Sequence, residues 1–142
     1  IIGELIIKCL RNEIIETTEG EQTREFNYVS NIVDAFILAI EKKDQVIGKI
    51  TNIGAGEEIK INELVKIIHK LTESRSELKI GALENRPTEI WRMYTDAVIA
   101  KESLGWTPTI KFTDGLIKTI AWYRNYLEVI TKDSALYNLS TF

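Results

Sequence analysis

Apolar residues recur at helical spacing in several stretches of the chain, with short extended runs between them. Over residues 2–11, Ile2, Leu5, Ile6, Cys9 and Leu10 fall on one face and predict a helix. A short strand over residues 14–17 leads into the turn Thr18-Glu19-Gly20-Glu21, and residues 26–29 read as a second extended piece. Ser30 or Asn31 is placed to cap a helix that runs to about Lys42, with Ile32, Val33, Phe36, Ile37 and Ile40 on its buried stripe. Residues 46–53 read as a buried strand and residues 54–56 (Gly-Ala-Gly) as a turn. The helix over 61–73 turns Ile61, Leu64, Val65, Ile68 and Leu71 inward, and residues 78–80 form a short strand. Asp96 caps a helix that Gly105 ends, with Pro108 just beyond. Thr113 or Asp114 starts the last helix, which reaches about Leu127 and carries Leu116, Ile117, Ile120, Ala121, Tyr123 and Leu127 on its apolar stripe. The pattern predicts an α/β fold, helix-rich with short strands and without internal repeats. Residues 1–128 form the domain, and residues 129–142, where the periodicity is lost, read as a C-terminal tail.

Composition narrows the classes. The 142 residues suit one ordinary domain with a core large enough to need no staples. Eighteen basic against 21 acidic residues give a formal charge of -3, which argues against a general nucleic-acid binder. A small anionic ligand stays open, because two well-placed arginines suffice for one. One cysteine, Cys9, excludes an internal disulfide, and with a single histidine, His69, a structural zinc site has too few ligands. A reducing, cytoplasmic setting is the expectation. The apolar opening is interrupted by Glu4 and Lys8 and has no basic n-region, so it does not read as a signal peptide. No run of 18 apolar residues is present to span a membrane. Residue 1 is isoleucine and the only methionine is Met93, so the chain is expected to be cut from something longer.

Several patterns carry little. The Gly54-Ala55-Gly56 turn lacks the third glycine of a dinucleotide loop, since Ile59 stands there, and reads as a tight strand-to-helix turn. His69 has no ligand partner nearby and reads as a surface or boundary histidine. Asn138-Leu139-Ser140 matches a glycosylation acceptor only as a three-residue pattern, and Glu57-Glu58 and Lys42-Lys43 read as solvated charge. No Ser-His-Asp set is legible.

Two segments carry chemistry. In Gly20-Glu21-Gln22-Thr23-Arg24-Glu25-Phe26-Asn27-Tyr28-Val29, Arg24 sits on an extended piece just before a helix start, where its fork can meet a phosphate. Taken alone, such an arginine is more often a surface salt bridge. In residues 85–96, Pro87 stiffens the backbone and pushes Arg86 into an extended conformation. Trp91, Met93 and Tyr94 there either line a pocket or pack the loop onto the core.

The string GEQTREFNYVSNIVDAFILAI resembles the G-x-x-x-x-R-D-F-x-Y-V-x-D-x-x-x-A signature of NAD-dependent epimerases and dehydratases, the extended short-chain dehydrogenases acting on nucleotide sugars. ITNIGAGEEIKINEL, RPTEIWRMYTDAVIAKESLGWTP and DGLIKTIAWYRNY resemble three further signatures of that family, in the family's order, over about residues 1–127. The resemblance implies the C-terminal, substrate-binding portion of such an enzyme, a small mixed α/β unit without its N-terminal Rossmann domain. It implies that Arg24 and Arg86 hold the diphosphate of a nucleotide-diphospho-sugar, that Glu89 meets the ribose, and that Met93 stands near a position limiting sugar size. Asn31, Lys60 and Thr88 depart from the pattern, where the family commonly has Asp, a Ser or Thr cap, and Gly. Lys60 leaves its helix start prone to fraying.

The resemblance also says what to look for and not find. Catalysis in this family needs a Gly-rich loop for NAD and a Tyr-x-x-x-Lys pair. Residues four positions after Tyr28, Tyr94, Tyr123, Tyr126 and Tyr137 are Ile32, Val98, Leu127, Ile130 and Thr141, so no such pair is present. The expectation is therefore a binding segment of a sugar 4-epimerase or 4,6-dehydratase, an isomerase or lyase of carbohydrate biosynthesis, inactive by itself. No catalytic, cofactor-binding or metal-binding residue is assigned to this chain, and NAD belongs to the intact enzyme. The alternative is a naturally truncated, non-catalytic binding or interaction domain. Residues 46–53 and 2–11 are expected to expose apolar surface meant for the absent domain, and so to drive self-association.

Overall fold

A computed structural model describes residues 1–139, with side-chain positions for residues 1–130. In chain order the elements are α1 (Ile2–Leu10), β1 (Ile15–Thr17), β2 (Thr23–Arg24), α2 (Val29–Glu41), α3 (Lys43–Val46), β3 (Ile59–Lys60), α4 (Ile61–Thr72), β4 (Leu78–Ile80), β5 (Arg92–Met93), a π-helical turn (Ala100–Leu104) and α5 (Phe112–Leu139). The fold is the helix-rich α/β arrangement that the periodicity predicts.

The main core lies where α1, α4 and α5 meet over β1. Leu5, Ile6 and Cys9 come from α1, Ile61, Leu64, Val65 and Ile68 from α4, Leu116 and Ile120 from α5, and Ile15 from β1. These are the stripes read from the 3.6-residue period, because each of these helices is apolar on one side. The α5 stripe is narrower than predicted, and Ile117 is exposed. The Cys9 thiol is buried, and burial pushes its pKa up, so it packs as a small apolar group. His69 is half-buried near the end of α4, and its Nε2 lies 3.0 Å from the Ser76 carbonyl.

Two small sheets border this core. β1 and β4 pair in parallel, Ile15 opposite Leu78. β2 lies between β3, antiparallel, and β5, parallel. The start of α4 does not fray for want of a side-chain cap. Ile61 N–H donates to the Gln22 carbonyl at 3.1 Å and Asn62 N–H to the Gly20 carbonyl at 3.0 Å, so backbone from the β2 approach satisfies the first orphan donors. Gly20 is required there: its φ is +68°, and a Cβ would come within 2.6 Å of Asn62 N.

Four readings are corrected. α2 begins at Val29, and neither Ser30 nor Asn31 caps it. Asn31 is instead buried within the first turn, where Oδ1 accepts from Thr109 N–H, Thr109 Oγ1 and Ile110 N–H at 3.0–3.2 Å and Nδ2 donates to the Ile110 carbonyl at 2.8 Å. The Trp106 indole N–H donates to the Asn31 carbonyl at 2.9 Å. Second, the stripe assigned to the buried face of α2 is largely exposed, with Phe36 at 68% and Ile40 at 74%. The smaller Ala35 and Ala39 face inward with Leu38, because small side chains let the π-helical turn, Leu104 and Trp106 approach.

Third, residues 46–53 form no strand: α3 ends at Val46, and Ile47 and Ile50 are exposed. A strand needs a neighbour for its peptide groups, and no strand among the described residues pairs with this segment. Fourth, the extended residues before α2 pair as β2 at Thr23–Arg24, earlier than the predicted 26–29. Elsewhere Asp96 Oδ1 accepts from Val98 N–H at 3.0 Å ahead of the π-helical turn, which has Ile99 and not Asp96 at its N-cap, and Gly105 ends the helical segment in the left-handed conformation. α5 continues past Leu127 through the backbone of residue 139, and Ser140 of the glycosylation-like triplet lies outside the described residues.

The Asn31 anchor is the polar tie between α2 and the 106–110 segment. Asn31→Ala is expected to lower unfolding free energy by about 2 kcal/mol, since buried donors and an acceptor lose their partners. Urea denaturation checks this; a loss under about 0.5 kcal/mol would mean water replaces the amide at little cost.

Candidate nucleotide-binding edge

Consecutive residues of a strand point to opposite sides, and β2 uses that alternation to reach two different segments. Arg24 turns toward the 86–93 segment. Its Nη2 meets Glu89 Oε1 at 2.7 Å, and its Nη1 donates to the Ile90 carbonyl at 2.6 Å and the Thr23 carbonyl at 2.7 Å. The two charged side chains are 21% and 13% exposed, so this pair is well shielded. Met93 is the register neighbour of Arg24 on β5 and is half-exposed.

Arg86 reaches the same region through a turn. Glu89 N–H donates to the Arg86 carbonyl at 3.0 Å, closing Arg86-Pro87-Thr88-Glu89 with proline in its second position. Thr88 is therefore accommodated in place of glycine. Arg86 is exposed, and its guanidinium enters no ion pair among the described residues. The structure thus joins Arg24, Glu89 and Met93 directly and places Arg86 on the turn that Glu89 closes. The salt-bridge reading of Arg24 holds too, with Glu89 as its partner.

Ile90, Trp91, Met93 and Tyr94 are all about half-exposed. They are not packed onto the core; the Arg92 guanidinium lies over the Tyr94 ring, 5.2 Å from its centroid. A cleft of about 410 Å³ continues from Tyr94 between residues 54–56 and residues 106–108.

Glu25 turns the other way. Its carboxylate accepts from Thr95 N–H at 2.6 Å, Asn27 Nδ2 at 3.0 Å and Gly56 N–H at 3.1 Å. Burial alone raises its pKa, but these three donors together outweigh burial and hold it below the ordinary carboxylate value. A Cβ on Gly54 would collide with Glu25 Oε1 and with Thr95. The Gly-Ala-Gly turn is thus a cradle for the protein's own carboxylate. A negative charge already sits where a dinucleotide phosphate would need to lie, so these residues do not fit NAD.

Sequence reasoning missed Glu25 and a second cross-strand tie. Glu58 accepts from Arg92 Nε at 3.2 Å and Nη2 at 2.5 Å, and from Thr23 Oγ1. Arg92 holds the Glu58 carboxyl below its usual range. Thr23 and Arg92 immediately precede Arg24 and Met93, so Glu58 clamps the register of the two site strands. The only sequence signal was a Glu-Glu pair that reads as surface charge. Among the described residues no cluster of three or more His, Cys, Asp or Glu could hold a metal ion, and no helix is long and apolar enough to cross a membrane.

A profile of the GDP-mannose 4,6-dehydratase family matches residues 4–119. The chain belongs to that family. It is 35% identical over 117 residues to UDP-N-acetyl-alpha-D-glucosaminuronate decarboxylase of Bacillus cytotoxicus, covering 80% of this chain and 36% of the relative. Its fold matches UDP-glucose 4-epimerase of Thermotoga maritima, solved with UDP-glucose, at a TM-score of 0.81 and 29% identity over 89% of this chain and 40% of that one. MoeE5, solved with UDP-glucose and NAD, matches at a TM-score of 0.74 and 32% identity, over 89% and 42% of the two chains. The chain therefore spans about two fifths of the length of these proteins, and corresponds to the C-terminal portion of the epimerase fold.

The Glu25 cradle has a pH signature. A folded-state pKa held below the ordinary 4.5 gives stability that is complete above that value and is lost as pH falls through the lower folded value. Glu25→Gln is therefore expected to flatten the acid limb of the stability curve below about pH 4.5. Melting temperature against pH checks it; parallel curves for the two proteins would remove Glu25 from the acid transition.

Proposed function

We propose that this chain is the nucleotide-sugar-holding portion of an NAD-dependent sugar-modifying enzyme. The observation that carries the reading is the convergence of Arg24, Glu89, Met93 and the Arg86-Pro87 turn along the β2–β5 edge. A diphosphate carries about two negative charges, and forked donors from two segments orient it as well as bind it. Glu89 offers a carboxylate for ribose hydroxyls, and the half-exposed Trp91 and Met93 offer apolar surface for base or sugar.

The relatives' names span dehydratase, decarboxylase and epimerase, and the solved members hold UDP-glucose, one of them with NAD. In the intact enzyme NAD would supply hydride removal and return at the sugar. This chain's residues contribute binding and orientation, since the 54–56 loop does not fit the cofactor and no Tyr-x-x-x-Lys is present. By this reading the chain alone does not turn over sugar.

The second reading, a non-catalytic binding or interaction module, draws on the same edge without the chemistry. Both readings need cover for α2. Val29, Val33, Phe36, Ile37 and Ile40 are exposed along it, followed by Ile47 and Ile50. A helix that buries small side chains and exposes several large apolar ones calls for further cover. We assign this face to a Rossmann domain, the partner that the family resemblance implies.

Two outcomes follow. UDP, dTDP or GDP binds the chain, and replacing both Arg24 and Arg86 with alanine weakens the best of them by about 10–100-fold; titration calorimetry with an unchanged affinity would remove both arginines from the site. The isolated chain associates through the α2 face, giving a light-scattering mass above the 16.2 kDa of one chain. A monomer that persists at high concentration would show that this face tolerates water.

A further inference from the structure

Residues 49–53 have the side-chain alternation of a strand and no neighbour to pair with. Lys49, Thr51 and Ile53 line a cavity of about 250 Å³ beneath α2, together with Phe36, Ala39 and Leu104. Ile50 and Asn52 turn outward, and Ile50 is 88% exposed. That alternation is the period of two of an extended chain. Among the described residues, no peptide group of residues 50–53 bonds to another backbone group, and the segment belongs to neither sheet.

Peptide groups left open in this way are a template for another strand. The devices that blunt such an edge are nearly absent, since the segment has no proline and its one charge is Lys49. It also runs beside the exposed apolar side chains of α2, because Phe36 belongs both to the cavity lining and to that face. Four residues of ladder are marginal in water by themselves, and the neighbouring helix face supplies the apolar area that the ladder lacks.

The segment fits a second copy of itself. With a two-fold axis at Thr51 or at Asn52, antiparallel pairing sets Lys49 opposite Ile53 or Ala55 of the second copy and never opposite itself. No like charges meet, and the lysine stem lies against an aliphatic neighbour. Directly opposite residues share a face, so the α2 helices of both copies come to the same side of the paired strands.

We propose that the isolated chain forms a two-fold dimer by antiparallel pairing of residues 50–53, with the two α2 faces side by side. The inference goes beyond the nucleotide-holding reading and does not depend on a ligand; it specifies the contact behind the association expected above.

The test is amide exchange followed by NMR on the whole chain, at concentrations that light scattering places on either side of the monomer–dimer transition. Amides of an antiparallel pair alternate between bonded and free. In the dimer either Ile50 and Asn52 or Thr51 and Ile53 are expected to exchange at least about tenfold more slowly than in the monomer, while the other two do not. Asn52→Pro in the first case, or Thr51→Pro in the second, removes a bond twice by symmetry and weakens the dimer at least about tenfold. Protection of the α1 and α4 amides in the variant stays as in the wild type, because residues 50–53 make no backbone bond within the chain. A dimer whose four amides exchange as in the monomer or slow alike, or one that the proline leaves as tight as before, overturns strand pairing and leaves association through α2 in place. A mass that stays at 16.2 kDa at every concentration overturns both, with nucleotide binding untouched.

Discussion

The Arg24 guanidinium ties together segments 65 residues apart in the chain, and the rest of the candidate site is arranged around it. β2 and β5 are only two residues each, too short to hold register by their own ladder bonds. Side chains supply what the ladder lacks. Arg24 grips Glu89 and the Ile90 carbonyl just before β5, and Glu58 joins Thr23 to Arg92 one residue earlier on each strand. Charge-assisted bonds of this kind are shorter and stronger than neutral ones, and here they replace strand length. The site's charges and the site's scaffold are the same groups, which couples recognition to local structure.

Glu25 extends the same logic to the far side. One residue along from Arg24, it fastens the 54–56 loop and Thr95 to the strand end. Two adjacent residues of opposite charge thus gather three separate segments, 54–56, 89–90 and 95, around one short strand. The glycine at position 54 makes sense only in this setting, because the space a side chain would take is filled by the carboxylate.

What the sequence makes legible follows from where each element finds its partner. α1 and α4 are read correctly because each buries one stripe against other elements of this chain, so period and burial agree. α2 is located correctly but rotated in the reading, since its larger side chains face out and Ala35 and Ala39 make the contact. Residues 46–53 carry a strand's composition without a strand's neighbour. Arg24, Arg86, Glu89 and Met93 are picked out by motif resemblance, yet the pairing of Arg24 with Glu89 is not visible in any spacing. Glu25 escapes notice, Glu58 is read as solvated charge and Asn31 as a helix cap, because a polar residue's distant partner leaves no mark in the sequence until the fold shows what it binds.

The two cores differ in how self-sufficient they are. The cluster of α1, α4, α5 and β1 contains ten buried apolar side chains contributed by four elements, the kind of closed packing that sustains a fold unaided. The cluster under α2 has four, Ala35, Ala100, Leu104 and Trp106, and two of these are alanines. Its cohesion leans on the Asn31 bonds to residues 109–110 and on the Trp106 indole. A small core tied by polar bonds, on a helix whose larger apolar side chains face out, is the half of the molecule whose packing is least complete in this chain. The candidate site is fastened chiefly through β2 to the start of α4, which belongs to the larger core. The candidate site is therefore built on the more completely packed part, and the proposed docking face on the less completely packed one.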